Sequence, residues 1–158
     1  MKASTLILCI GNPLRGDDAL GWVVSSHLDH LSDVSVIRAH QILPEHSLLA
    51  STVKQVILVD ASVAVAPGEL SVSRLEPGTS SHKAMGHEFN PDDFLAMIRL
   101  YSKQPPVLWQ VSVGAVHFNL GQGLSEAVTQ RLKDVVGQIQ KLITEETEEW
   151  TNTHACTC

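Results

Sequence analysis

The chain has 158 residues, 44% of them hydrophobic, and a formal net charge of −6 with histidine neutral. That length suits one domain with a single substantial core, and the composition is that of a folded globular chain rather than a disordered one. The acidic balance, with no basic stripe to offset it, excludes nucleic acid and anionic membrane as main partners.

No apolar run reaches the length of a membrane span, and the N-terminus lacks the layout of a secretory signal, so a cytoplasmic protein working as a monomer is expected. Three cysteines make no disulfide framework. Cys9, inside the first apolar run, reads as a small buried hydrophobe.

The run Leu6-Ile7-Leu8-Cys9-Ile10 is the first strand, broken by Gly11-Asn12-Pro13 and a second glycine at Gly16. Asp17 and Asp18 follow, and then a helix over Ala19–Leu31 with Leu20, Val24, Leu28 and Leu31 on one face. Val34–Ala39 is a β-branched second strand, and Pro44 opens a short second helix reaching about Ser51. Gln55–Ala61 is a continuous apolar third strand ending at Asp60, the pattern of a central parallel strand covered on both faces. Glu69–Leu75 alternates and follows a short turn, so it reads as an antiparallel neighbour.

Residues 76–90 carry no periodicity, and loops of that length in a compact domain tend to be functional. Asn90-Pro91-Asp92-Asp93 then starts a third helix running to about Ser102, with an N-cap, a proline in the first turn and two acids. Val107–Ala115 is the fifth strand. Leu124–Ile143 reads as one long final helix with Ser125 as its cap and Val128, Leu132, Val135, Val136, Ile139 and Leu142 on one face. The order predicts an α/β fold, a three-layer α/β/α sandwich around a mixed, mostly parallel five-stranded sheet with one antiparallel strand. Residues 1–144 would form the single domain, and the acidic tail 145–158 is expected to fray.

In such a sheet the carboxyl ends of the parallel strands share one edge, where sites form. Asp17 and Asp18 lie just past the first strand and Asp60 at the end of the third. If those strands are neighbours the carboxylates face a common crevice, and the long loop could bring His82 or His87 over it. Carboxylate oxygens with an imidazole suit a borderline divalent metal or acid–base work on water. The plainer readings stand beside this one: Asp17 or Asp18 as a cap of the first helix, Asp60 as acceptor for backbone N–H groups in the next turn, and the loop histidines as surface residues. Gly11–Gly16 lacks the lysine and Ser/Thr of a phosphate loop. No Gly-x-Ser-x-Gly elbow occurs. His154, Cys156 and Cys158 form a soft-donor cluster that reads as an unstructured end rather than a metal site.

These residues resemble a family, the maturation endopeptidases of NiFe hydrogenases. Gly11-Asn12-Pro13-Leu14-Arg15-Gly16-Asp17-Asp18-Ala19-Leu20-Gly21 is similar to the family's opening motif, in which Gly-Asn is followed by an acidic pair and a glycine three residues on. Its second acid, a metal-binding position, matches Asp18, and Val59-Asp60-Ala61 matches the second acidic ligand. The histidine ligand lies in the loop before the next helix. His87-Glu88-Phe89-Asn90-Pro91 resembles the form found in relatives of cytoplasmic bidirectional hydrogenases, with Ser81-His82 as the fallback. His40-Gln41-Ile42-Leu43-Pro44-Glu45 and Tyr101 to Pro105-Pro106 are similar to the same subgroup. Ala19 departs from the glycine many members carry. The likeness runs from about Leu6 to Ile143.

The resemblance implies a protease that removes a C-terminal peptide from the hydrogenase large-subunit precursor once nickel is in place. The nickel would be carried by the substrate rather than held tightly by the enzyme. Asp18, Asp60 and His87 would be both its ligands and the catalytic residues, by an aspartic-type or a metal-assisted route, and Asp17 would support them. The alternatives are a non-catalytic nickel-binding or scaffold protein of the same fold, and a small-molecule hydrolase using the same crevice.

Overall fold

The computed structural model describes residues 3–77 and 89–154, and the side chains as far as residue 146. Strand β1 (Thr5–Ile10) lies between β2 (Val34–Ala39) and β3 (Gln55–Pro67) and is parallel to both. On the other side of β3 lies β5 (Val107–Gly114), also parallel. The edge strand β4 (Leu70–Leu75) runs antiparallel to β5, so the sheet order is β2-β1-β3-β5-β4. The expected mixed sheet with one antiparallel strand is thus present. The partner of that strand is β5 rather than its sequence neighbour β3.

Alternation along the central strands explains the two-faced burial. Ile7, Cys9, Ile57, Val59, Val111 and Val113 point to one face, where they pack with α1 (Leu20–Ser26), α4 (Glu126–Thr129) and α5 (Leu132–His154) through Leu20, Val24, Val128, Val135 and Ile139. Leu6, Leu8, Val56, Leu58 and Leu108 point to the other, against α2 (Pro44–Ala50) and α3 (Pro91–Tyr101) through Ala50, Phe94, Leu95 and Ile98. Strand β1 and the first half of β3 are covered on both sides, so their hydrophobicity is continuous. Cys9 is fully buried, and burial pushes its thiol up to about 12.

Four boundaries differ from expectation. The first helix ends at Ser26 because Ser25 and Ser26 turn their hydroxyls back onto the Trp22 and Val23 carbonyls, at 2.6 and 2.7 Å. Such bonds compete with helix propagation; His27 and Leu28 then bond three residues back, to Val24 and Ser25. Strand β3 continues past Asp60 to Pro67, since Val63 and Val65 favour extended backbone and no breaker intervenes. This extension arches over the end of β5. There Ala66 passes so close to Gly114 that a Cβ on that glycine would run into the Ala66 carbonyl.

The final helix is two. It tightens at Arg131, whose N–H bonds the Val128 carbonyl three back at 3.0 Å while its Nε reaches the Gly68 carbonyl at 2.8 Å. At the other end α5 runs on to His154, past the expected end at Ile143. Residues 144–154 include no glycine or proline, and Lys141 and Glu145 pair at 3.7 Å across one turn. Helix α3 starts as expected: Asn90 Oδ1 accepts from the Asp93 N–H at 3.0 Å and Asp93 returns the bond at 3.4 Å. Among the described residues no helix is long and apolar enough to cross a membrane.

Candidate active site

The chain leaves β1 toward β2 on one side and returns to β3 on the other, so the switch point of this sheet lies between β1 and β3. The Asp17-Asp18 segment leaves the sheet there at the end of β1, and Asp60 stands beside it within β3. Cys9 is opposite Val59, which puts Ile10 beside Asp60. A Cβ on Gly21 would lie 2.9 Å from the Val59 carbonyl oxygen, so the start of α1 rests directly on the neighbouring strand ends.

The turn after β1 is shaped around Asp18. Gly11 has φ +140, open to glycine, and a Cβ there would run into the Asp18 carbonyl. The Asn12 N–H donates to Asp18 Oδ2 at 2.8 Å, and Asn12 Oδ1 accepts from the Leu14 N–H at 2.9 Å, closing an Asx turn. Trp22 donates Nε1–H to the Gly11 carbonyl at 2.8 Å and meets His40 edge-on, with ring centroids 5.7 Å apart. Asp18 is therefore half-buried and held, with no capping bond to the helix that follows.

Asp17 turns the other way and is fully buried. Its Oδ2 accepts from the Val116 N–H at 2.7 Å, the His117 N–H at 3.2 Å and the Ser125 hydroxyl at 3.0 Å, and its Oδ1 accepts from the Ser125 N–H at 2.6 Å. Burial alone would raise this carboxyl. The four donors outweigh it and hold Asp17 below the ordinary aspartate range. The supporting role expected of Asp17 takes a specific form: it ties the β5–α4 loop to the turn after β1.

Asp60 is half-buried on the α2/α3 face. Its Oδ1 accepts from the Ser112 hydroxyl at 2.5 Å, and the Gln110 amide lies 3.5 and 3.4 Å from Oδ1 and Oδ2. It borders two cavities. One, of about 210 Å³, is lined by Ile10, His40, Phe89, Pro91 and Gln110 among others. The other, of about 580 Å³, opens toward β4.

The structure thus sets the Asp18 turn at the end of β1 and Asp60 on the adjacent strand β3 beside Ile10. His82 and His87 lie outside the described residues, as do Cys156 and Cys158. Among the described residues no three His, Cys, Asp or Glu side chains group closely enough to hold a metal ion. Sequence reasoning missed Gln110 and Ser112, which steady Asp60. The available signal was two polar residues at alternate positions of an otherwise apolar strand, hence on one face. His40, noted above only as part of a resemblance, sits on the wall of the smaller cavity.

No family model matches the chain, and no curated protein matches it in sequence. Among solved structures it is similar to the hydrogenase maturating endopeptidase HybD from E. coli, with a TM-score of 0.78 and 23% identity over 92% of this chain and 93% of that one. It is similar to an endopeptidase from Escherichia coli solved in solution, with a TM-score of 0.72 and 22% identity over 92% and 93%. It is also similar to the NiFe hydrogenase maturation protease HycI from Thermococcus kodakarensis KOD1, with a TM-score of 0.70 and 22% identity over 90% and 94%. At these identities the likeness is one of fold, and it extends over nearly the whole of each chain.

Proposed function

We propose that the chain is an endopeptidase of hydrogenase maturation, removing the C-terminal extension of a nickel-loaded NiFe hydrogenase large-subunit precursor. One observation carries the reading. The motif Gly11–Gly21 and Asp60 occupy the two sides of the switch point in a fold shared with solved maturation proteases. In this reading the nickel belongs to the substrate, and Asp18, Asp60 and His87 engage it.

Binding through the substrate's own metal makes cleavage conditional on cofactor loading. A carboxylate beside the metal can take the proton of the attacking water, and the metal can polarise the scissile carbonyl. The chain supplies two held carboxylates for engaging the metal and accepting that proton: Asp18, fixed by the Asn12 N–H, and Asp60, fixed by Ser112.

The test is incubation with the nickel-loaded precursor, with the nickel-free precursor as control, followed by intact mass. Loss of a C-terminal peptide from the loaded form alone is the expected result. A loaded precursor that binds but keeps its mass would replace this reading with that of a non-catalytic nickel-binding or scaffold protein.

A further inference from the structure

The α2/α3 face of the sheet changes character along its strands. The first row across β3, β5 and β4 is Val56, Leu108 and Leu75, all packed in the core under α3. The next is Leu58, Gln110 and Ser73, and the third is Asp60, Ser112 and Ser71. A sheet face built for a helix would stay apolar; this one turns polar at the mouth of the 580 Å³ cleft, whose lining includes all five of these polar side chains. Among the described residues Asp60 is the only charged group lining it. The Ser112 hydroxyl is engaged by Asp60, while those of Ser71 and Ser73 make no hydrogen bond among the described residues.

We propose that this cleft is the subsite for an extended, uncharged stretch of substrate main chain beside the scissile bond, with Ser71 and Ser73 as its hydrogen-bonding contacts; the proposal rests on the endopeptidase reading. Hydroxyls both donate and accept, which matches the alternating N–H and C=O groups of a peptide backbone. The volume is that of a ligand site. A neutral segment fits because an anionic side chain would be repelled by Asp60 and a cationic one would compete there with the metal. Asp60 lies at the end of the third row, so a peptide crossing the hydroxyls reaches the carboxylate.

The experiment uses the full chain and two variants, the double substitution Ser71→Ala/Ser73→Ala and the cleft-filling Ser73→Trp. Binding of a fluorescein-labelled synthetic peptide covering the precursor's C-terminal extension and the residues before it is read by anisotropy, and cleavage of the loaded precursor by steady-state kinetics. Loss of two hydrogen bonds should raise Kd and KM about tenfold with kcat within about twofold, and Ser73→Trp should weaken binding at least as much, each with an unchanged unfolding midpoint. Peptide binding by both variants as tight as by wild type, an unmoved KM, or a wild type that does not bind the peptide overturns the subsite. If wild type binds the peptide, the variants do not, and the precursor is never cut, the subsite stands and the endopeptidase reading falls.

Discussion

Removing the Asp17 carboxylate should cost more stability than any other single polar change near the site. Four donors converge on this buried group, from Val116, His117 and Ser125. A hydrogen bond to a charged group contributes about 1.5–3 kcal/mol, but four on one carboxylate share it and do not add. Taking roughly half the sum gives about 4 kcal/mol for Asp17→Ala. For a chain of this length that lowers Tm by about 8–16 °C. Asp17→Asn keeps the shape but turns an N–H₂ toward donors, and about 2 kcal/mol, or about 4–8 °C, is expected.

The pH dependence gives a second check on Asp17. Its native carboxyl titrates below the ordinary aspartate value, so its stabilisation is fully present above about 3.9 and is lost as pH falls through the native value. The gap between wild type and Asp17→Asn should therefore narrow on acidification. Thermal unfolding followed by circular dichroism at a series of pH values reads both effects. An Asp17→Ala protein within about 1 kcal/mol of wild type, or a gap that widens below pH of about 4, would refute the reasoning.

Asp18→Asn, Asp60→Asn and His87→Ala should each abolish precursor processing while thermal midpoints hold; an active His87→Ala beside an inactive His82→Ala transfers the role to His82. Gly11→Ala combines φ +140 with a collision at the Asp18 carbonyl. The backbone strain alone is about 1–3 kcal/mol, so both Tm and processing should fall; a variant with wild-type midpoint and rate contradicts the account of this turn. The Cys9 thiol, buried and pushed up to about 12, should resist iodoacetamide at pH of about 8 in the native protein and react after denaturation. Peptide mapping by mass spectrometry would show the contrary as native-state labelling of Cys9.

What was legible in the sequence was what short-range patterns encode. The apolar run at Leu6–Ile10 announced a strand, that at Val56–Val59 a central parallel one, and Asn90-Pro91-Asp92-Asp93 announced a helix start. The partner of β4 was not, because alternation tells which face a residue takes and not which strand lies beside it. Arg131 sits in a good helical pattern, and the turn there tightens beside a contact with Gly68, 63 residues away. Asp17 looked like a local cap for the same reason: its true partners are about a hundred positions downstream, at Val116, His117 and Ser125. The site was legible as acids on two strands, although β3 runs on past Asp60 to Pro67. The side chains that steady them were not, since Ser112 acquires meaning only once β5 lies next to β3.

The arch of β3 over Gly114 has a consequence for synthesis on the ribosome. Strands β3 and β4 are joined by a tight link at Gly68–Glu69, yet β5 stands between them in the finished sheet. A nascent chain therefore carries β4 with no native partner until Val107–Gly114 has emerged. Then β5 must insert between β3 and β4 and pair with both. Such late, non-local insertion slows folding and leaves a strand edge open to other chains meanwhile. The same crossing that roofs the end of β5 makes the region around β4 the last part of the sheet to close.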